Sequence, residues 1–212
     1  MGDFKRRTDA EIYQVGDYFQ GANRYYDRNY EVTVVKLFSG DCYVSTSPHE
    51  MIVTILGSCI SACIHDPAAK ISGMNHFLLP GDPAAHATTI DASTRYGAFA
   101  MEKLINGMIS VGARKDRMQV KVFGGGDVTA HSGMIGSRNA AFVQDFLTRE
   151  RLTILSSDLG GTTPRRIHFD TGTGKVLLRT LHRQEDMRVV TMERAYQEAI
   201  NKNLIGGDVD LF

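Results

Sequence analysis

The chain has 212 residues, 24 acidic and 24 basic side chains, seven histidines and three cysteines. That length suits one domain with a sizeable core. The charge balance excludes a general field for nucleic acid or an anionic membrane surface, and the apolar run around residues 52–56 falls far short of the ~18 residues of a membrane span. The opening MGDFKRRTDAE has no apolar stretch, so no secretory signal is expected. Three cysteines leave an odd thiol, which fits a reducing cytoplasm rather than a disulfide framework.

Residues 1–28 read as polar, aromatic and irregular, with Tyr25 beside Tyr26 and arginines at Arg6, Arg7, Arg24 and Arg28. They read as an extension with room for one short helix, either covering a sheet edge or contacting an acidic partner. EVTVVKLF at 31–38 and CYVST at 42–46 read as strands, and Ser39-Gly40-Asp41 between them predicts a hairpin. MIVTIL at 51–56 is a further strand. ISACIHD at 60–66 and ISGMNHFLL at 71–79 are two more, joined by the proline turn DPAAK.

Residues 91–113 place Phe99, Met101, Leu104, Ile105, Met108 and Ile109 at helical spacing, with Gly112 as a stop. MQVKVFGG at 118–125 reads as a strand. Residues 137–150 predict a second helix with Val143, Phe146 and Leu147 on its inner face. Strands follow at 152–159, 165–170 and 175–181, the last two joined by TGTG, and a final helix is expected at 191–203. Strands outnumber helices and mostly pair locally, so the expected fold is α/β, with layered antiparallel-rich sheets packed against two main helices. The expected organisation is an extension at 1–40, a main domain at 41–190, and a helix and tail at 191–212.

Chemistry concentrates at 54–80, TILGSCISACIHDPAAKISGMNHFLLP. Cys59 follows a Gly57-Ser58 turn, and His76 comes later inside GMNHF. A thiolate nucleophile with a titratable base is the minimum equipment for covalent acyl transfer. Imidazole is the side chain best matched to take the thiol proton near neutrality. A hairpin through DPAAK brings Cys59 and His76 to one spatial end, within about a residue of register. Spacing therefore permits contact between thiol and imidazole.

Other readings compete. Cys59, Cys63, His65 and His76 are zinc-type ligands, although Cys63 and His65 lie in an alternating strand rather than on a knuckle. Gly124-Gly125-Gly126 could cradle a phosphate but lacks a P-loop lysine, and it reads better as a close backbone approach. GTGK at 172–175 reads as a hairpin turn. His49, His86, His131, His168 and His182 carry no motif, and Asp158 and Arg138 read as loop-holding residues.

LGSCISACIHDPAAKISGMNHFLLP resembles the signature of the chemoreceptor glutamine deamidase family, CheD. VFGGG at 122–126, IGSRNAAFV at 135–143 and DLGGTTPRRIHFDTGTGKVLLRTL at 158–181 resemble further family segments in the same order. The resemblance runs from about residue 48 to about 182. It implies a CheD-like fold and hydrolysis of glutamine side chains to glutamate on the cytoplasmic helices of chemoreceptors. It further implies Cys59 as nucleophile and His76 as base, with no metal or organic cofactor. Backbone N–H groups around Gly57, Ser58 and Cys59 are the candidates for the oxyanion donors. Thr54 lies five residues before Cys59, where the family places a supporting threonine five or six residues ahead, so its role stays open. A CheC-type phosphatase is an implied partner where one exists. Two alternatives stand beside the deamidase: an adaptor docking on such a phosphatase, and a cysteine amidase or peptidase acting on other substrates.

Overall fold

The computed structural model describes residues 23–28, 30–79, 88–128 and 134–181, and further on Thr191, Ala195, Tyr196 and Glu198. In chain order the strands are β1 (Asn23–Asp27), β2 (Val32–Lys36), β3 (Cys42–Ser45), β4 (Glu50–Leu56), β5 (Ile60–Asp66) and β6 (Ile71–Asn75). Helix α1 (Thr88–Ser110), a single 3₁₀ turn (Lys115–Arg117) and β7 (Gln119–Gly124) follow. Helix α2 (Ile135–Arg149), β8 (Ile154–Leu159), β9 (Arg165–Asp170) and β10 (Val176–Thr180) complete the set. Two five-stranded sheets result, ordered β1-β2-β4-β9-β10 and β3-β6-β5-β7-β8. The α/β class with two main helices is as the sequence implies. Pairing is mainly antiparallel, with β2–β4 and β7–β8 parallel.

Side-chain alternation divides the core into two layers. On β5, Ile60, Ala62 and Ile64 face α1 and α2, in a cluster with Met101, Leu104, Met108, Val143 and Leu147. Cys63 points the other way, into a layer between the sheets with Val35, Leu37, Ile52, Leu56, Met74, Ile167 and Phe169. The order of layers is therefore helices, second sheet, first sheet. Such double burial explains why ISACIHD reads as a continuous apolar run: every residue of β5 is buried.

Three expectations need correction. The turn at Ser39-Gly40-Asp41 forms, with Asp41 N–H donating to Phe38 C=O at 3.0 Å, but it does not make a hairpin. β2 pairs parallel with β4, while β3 pairs antiparallel with β6 in the other sheet. The turn carries the chain across the interlayer, so Leu37 and Tyr43 reach the same core from opposite sides. Second, Asn23–Asp27 is not irregular but an edge strand paired with β2. Arg24 also forms an ion pair with the buried Glu50 carboxylate, which accepts from Tyr43 Oη at 2.9 Å and Ser45 Oγ at 2.5 Å. Third, Phe99 and Ile109 are 63% and 44% exposed. The buried stripe of α1 is Met101, Leu104, Ile105 and Met108, and these two lie outside it. Residues 1–22 and most of 191–203 lie outside the described residues; Thr191, Ala195, Tyr196 and Glu198 are helical. Among the described residues no helix is long and apolar enough to cross a membrane.

The β5–β6 hairpin is fastened at its turn by Asp66. Its carboxylate accepts the Ala68 and Ala69 N–H groups at 3.1 Å each, the Arg114 N–H at 2.9 Å and Arg117 Nη2 at 2.8 Å. Burial alone would raise this carboxyl, but the Arg117 guanidinium and the backbone donors outweigh it and hold Asp66 far below the usual carboxylate range. Because the folded value is depressed, the ionised group stabilises the fold above ~4, the ordinary carboxylate value, and that contribution is lost as pH falls toward the folded value. Arg117→Ala is expected to lower stability near neutral pH, because Asp66 loses its guanidinium donor. Near pH ~3 the cost should be smaller, because the depression it helps maintain is already being titrated away. Urea unfolding at the two pH values checks this; an equal cost at both would disprove the coupling.

Candidate active site

Two strands and two turns bring the site together. The hairpin register pairs Cys63 with Met74, and beyond the strand ends Ile60 bridges Phe77. Ile60 N–H donates to Phe77 C=O at 2.8 Å, and Phe77 N–H returns the bond at 2.9 Å. In this register Cys59 stands opposite Leu78, two positions from His76, rather than within one. An offset of two keeps both side chains on one face, whereas an offset of one would have put them on opposite faces. That face is the interlayer: Ser72 and Met74 of β6 point there, and His76 continues their row. Cys59 is 0% exposed and His76 4%.

Thr54 arrives from the other sheet. It sits on β4 between Ile52 and Leu56, at the inward parity, and is buried. Its Oγ1 lies 2.8 Å from Leu37 C=O and 2.7 Å from His76 Nδ1. The carbonyl can only accept, so the single threonine proton goes to Leu37. Thr54 Oγ1 therefore accepts from His76 Nδ1–H. This fixes the neutral imidazole as the Nδ1–H tautomer, with the lone pair on Nε2. Ser39 Oγ stands 3.1 Å from that Nε2 and 3.5 Å from Cys59 Sγ. Thr54, Cys59 and His76 are thus drawn to one point of the interlayer, and Ser39, read from sequence as part of a hairpin turn, stands with them.

The Gly57-Ser58-Cys59 turn is held by its carbonyls. Gly57 C=O accepts from Gly126 N–H and Cys59 C=O from Gly125 N–H, both at 2.8 Å. Ser58 C=O accepts from Asn139 Nδ2 at 2.7 Å, and Asn139 Oδ1 accepts from Leu79 N–H at 3.0 Å. A trans peptide points its N–H opposite to its C=O. The Ser58 and Cys59 N–H groups are therefore directed away from Gly126 and Asn139. The glycine run makes the close backbone approach its sequence suggests: a Cβ on Gly124, at φ +108°, would lie 2.0 Å from Cys59 C=O.

Sequence reasoning missed Asn139 and Tyr196 as well as Ser39. Asn139 is buried mid-turn on an otherwise amphipathic helix, which is a readable signal of a satisfied polar anchor. Tyr196 packs against the cluster that contains Cys59. Its hydroxyl lies 2.7 Å from Tyr96 Oη. A Cβ on Gly40, at φ +95°, would meet the Tyr196 hydroxyl at 2.6 Å, so glycine is needed there. The zinc-type quartet is not assembled: His65 Nδ1 is 2.8 Å from Ser72 Oγ near the far end of the hairpin. Among the described residues no group of three or more His, Cys, Asp or Glu could hold a metal ion. Asp158 is an ion-pair partner of Arg165.

A cysteine, an imidazole and a hydroxyl share a buried point above a glycine turn, an arrangement of residue types that can carry covalent acyl transfer. Comparison with known proteins gives its kinship. The family model described as CheD chemotactic sensory transduction matches residues 78–180. A Rhodopseudomonas palustris protein named "Probable chemoreceptor glutamine deamidase CheD" is 46% identical over 89% of this chain and 89% of its own. One of the same name from Thiobacillus denitrificans is 42% identical over 90% of this chain and 95% of its own. A third, from Saccharophagus degradans, is 40% identical over 97% of each. A solved Neisseria meningitidis protein of family model DUF152 is 12% identical over 58% of this chain and 54% of that one, with TM-score 0.37. The chain belongs to the CheD family.

Gly124→Ala is expected to displace the Cys59 turn, because the added methyl has backbone on its far side and no flexible side chain to yield. The cost should be at least ~1–3 kcal/mol, as for strained backbone positions. Thermal unfolding together with Cys59 alkylation measures it; an unchanged melting point with unchanged alkylation would contradict the close approach.

Proposed function

We propose that this protein is a cytoplasmic hydrolase that deamidates glutamine side chains to glutamate on the helical cytoplasmic region of chemoreceptors, with Cys59 as nucleophile. The observation that carries the reading is the His76 tautomer. Thr54 holds Nδ1–H, so Nε2 presents its lone pair on the side where Cys59 lies. Membership of a family whose relatives are named chemoreceptor glutamine deamidases supports the substrate class.

The steps follow from these groups. His76 Nε2 takes the Cys59 proton, and the thiolate attacks the carboxamide carbon. Charge moves to the carbonyl oxygen, where the Ser58 and Cys59 N–H groups are the candidate donors, with Gly57 supplying the bend. Imidazolium returns its proton to the leaving nitrogen, and ammonia departs. The acyl group remains on Sγ as a thioester. His76 then removes a proton from water as the water attacks, the C–S bond breaks, and the thiol is restored with glutamate as product. Every proton taken by His76 is returned, so protein side chains suffice for the cycle. Thr54 orients the imidazole and disperses its charge as it forms.

Cys59 has no exposed surface, so a glutamine side chain reaches it only when the groups above it move. Tyr196 and the Tyr96 hydroxyl it meets are the described groups nearest that role. A CheC-type phosphatase is a further partner under this reading. An adaptor role alone is less well supported, since docking requires neither the buried thiol nor the fixed tautomer.

In Cys59→Ala, deamidation of a receptor cytoplasmic fragment is expected to vanish while the fold persists. Mass spectrometry reads a gain of about one mass unit per converted glutamine without chain cleavage. A folded Cys59→Ala protein that still converts the fragment would refute the mechanism, and cleavage products with the unsubstituted chain would indicate a peptidase. His76→Asn should reduce kcat by at least ~100-fold, the lower end for general acid–base contributions. It should also slow alkylation of Cys59 near neutral pH. Alkylation with an unchanged pH profile would mean that another group activates the thiol.

A further inference from the structure

Ser39 lies in the crossover between β2 and β3, and its loop is bonded to the backbone of His76 on both sides. Gly40 N–H donates to His76 C=O at 2.7 Å, and His76 N–H donates to Asp41 C=O at 2.9 Å. The loop closes on itself through Phe38 N–H, which donates to Asp41 Oδ2 at 2.7 Å. The loop and the histidine are therefore one unit, and the position of the Ser39 hydroxyl relative to the imidazole is set by backbone bonds rather than by a free rotor alone. That hydroxyl is within reach of both reacting atoms, 3.5 Å from Cys59 Sγ and 3.1 Å from His76 Nε2.

Because Nδ1 carries the imidazole proton, Nε2 must accept, and Ser39 Oγ–H is a donor that meets it. The same oxygen keeps lone pairs with which to accept from Cys59 S–H. We propose that Ser39 is a further catalytic residue, whose hydroxyl relays the Cys59 proton to His76 Nε2 and then donates to the resulting thiolate. This inference rests on the Cys59–His76 reading above. Its balance is simple. The S–H bond breaks as an O–H bond forms on Ser39, and the original Ser39 proton passes to Nε2. Serine is neutral before and after; the net change is one proton moved from sulfur to nitrogen. Ser39 donates to the thiolate until the C–S bond is made, and when ammonia then leaves, its proton is delivered from Nε2. A hydroxyl is suited to this because it is donor and acceptor at once and rotates about Cβ–Oγ to exchange the roles.

The test uses the full chain with Ser39→Ala and Ser39→Thr. Iodoacetamide alkylation of Cys59 is followed against pH, and deamidation of a receptor fragment by mass. In Ser39→Ala the alkylation midpoint is expected to move up by roughly one pH unit, since the thiolate loses a hydrogen-bond donor. kcat is expected to fall by about tenfold or more, with KM little changed. Ser39→Thr retains a hydroxyl and should recover both. An alanine variant whose alkylation profile and kcat match the unsubstituted protein, or a loss that threonine does not recover, overturns the relay. His76→Asn measured alongside separates the two levels. If it shifts the profile and Ser39→Ala does not, only the relay fails. If His76→Asn leaves the profile unchanged, the underlying Cys59–His76 reading fails with it.

Discussion

The reciprocal hydrogen bonds between Ile60 and Phe77 set the geometry on which the site depends. They extend the β5–β6 ladder one rung past its regular end, up to the residues that carry the chemistry. Because the side-chain period of a strand is two, this rung sends Ile60 and Phe77 toward the helices and so turns Cys59 and His76 the other way. A slip of one residue would turn the imidazole toward α1, where Asn75 meets Ala100 C=O and Met101 Sδ, and away from Thr54. The register is secured from both ends. Asp66 closes the turn by accepting from three backbone N–H groups and a guanidinium, and Asn139 ties the residues flanking the open end, Ser58 and Leu79, to α2.

Placing such a cluster between two sheets sets polar groups in an apolar layer, where an unsatisfied donor or acceptor costs about 1–3 kcal/mol. The structure meets this by chaining them. Leu37 C=O accepts from Thr54, Thr54 from His76 Nδ1, and Nε2 faces Ser39, which faces Cys59. The same chain explains why the β2–β3 segment crosses between sheets instead of folding back. Leu37 must stay with β4 to receive Thr54, while Asp41 must reach β6 to receive His76 N–H. One connection serves both sheets at the point where they share the site.

Much of this was legible in the sequence because it is locally encoded. ISACIHD-PAAK-ISGMN specifies a hairpin by its apolar runs and its proline turn, and a hairpin suffices to bring Cys59 near His76. The stripes of α1 and α2 were legible by the 3.6-residue period, apart from Phe99 and Ile109, whose spacing fits a helix but not its buried face. What stayed hidden was non-local. Ser39-Gly40-Asp41 carries a true turn signal, yet a turn does not specify which strands its flanks will pair with, and the parallel β2–β4 contact has no local signature. Ser39 was therefore read as turn chemistry alone. Thr54 sat at the inward parity of MIVTIL between Ile52 and Leu56, so its burial could be inferred, but its imidazole partner comes from the other sheet. Asn23–Asp27 was read as irregular because four of its five residues are exposed, as befits an edge strand without an apolar pattern.

The three cysteines give the sharpest contrast between packing and chemistry. Burial pushes the Cys42 thiol up to about 12, with Lys103 only partly opposing it. Burial raises Cys63 further, although it lies in the same interlayer as Cys59 and on the strand that follows it. Burial thus disfavours the thiolate at both positions. What distinguishes Cys59 is not exposure, since it is as buried as Cys63, but company: the Ser39 hydroxyl stands 3.5 Å from its sulfur and 3.1 Å from His76 Nε2, and Thr54 holds the other ring nitrogen. In a low-dielectric layer, transferring a proton from sulfur to nitrogen creates opposite charges close together rather than one unpaired charge. The pair is tolerable only while both ends stay hydrogen-bonded, which Ser39 and Thr54 can do without becoming charged themselves. The hydrogen-bonded surroundings of Cys59 are thus a property of the crossover loop and of β4 as much as of the hairpin that carries it.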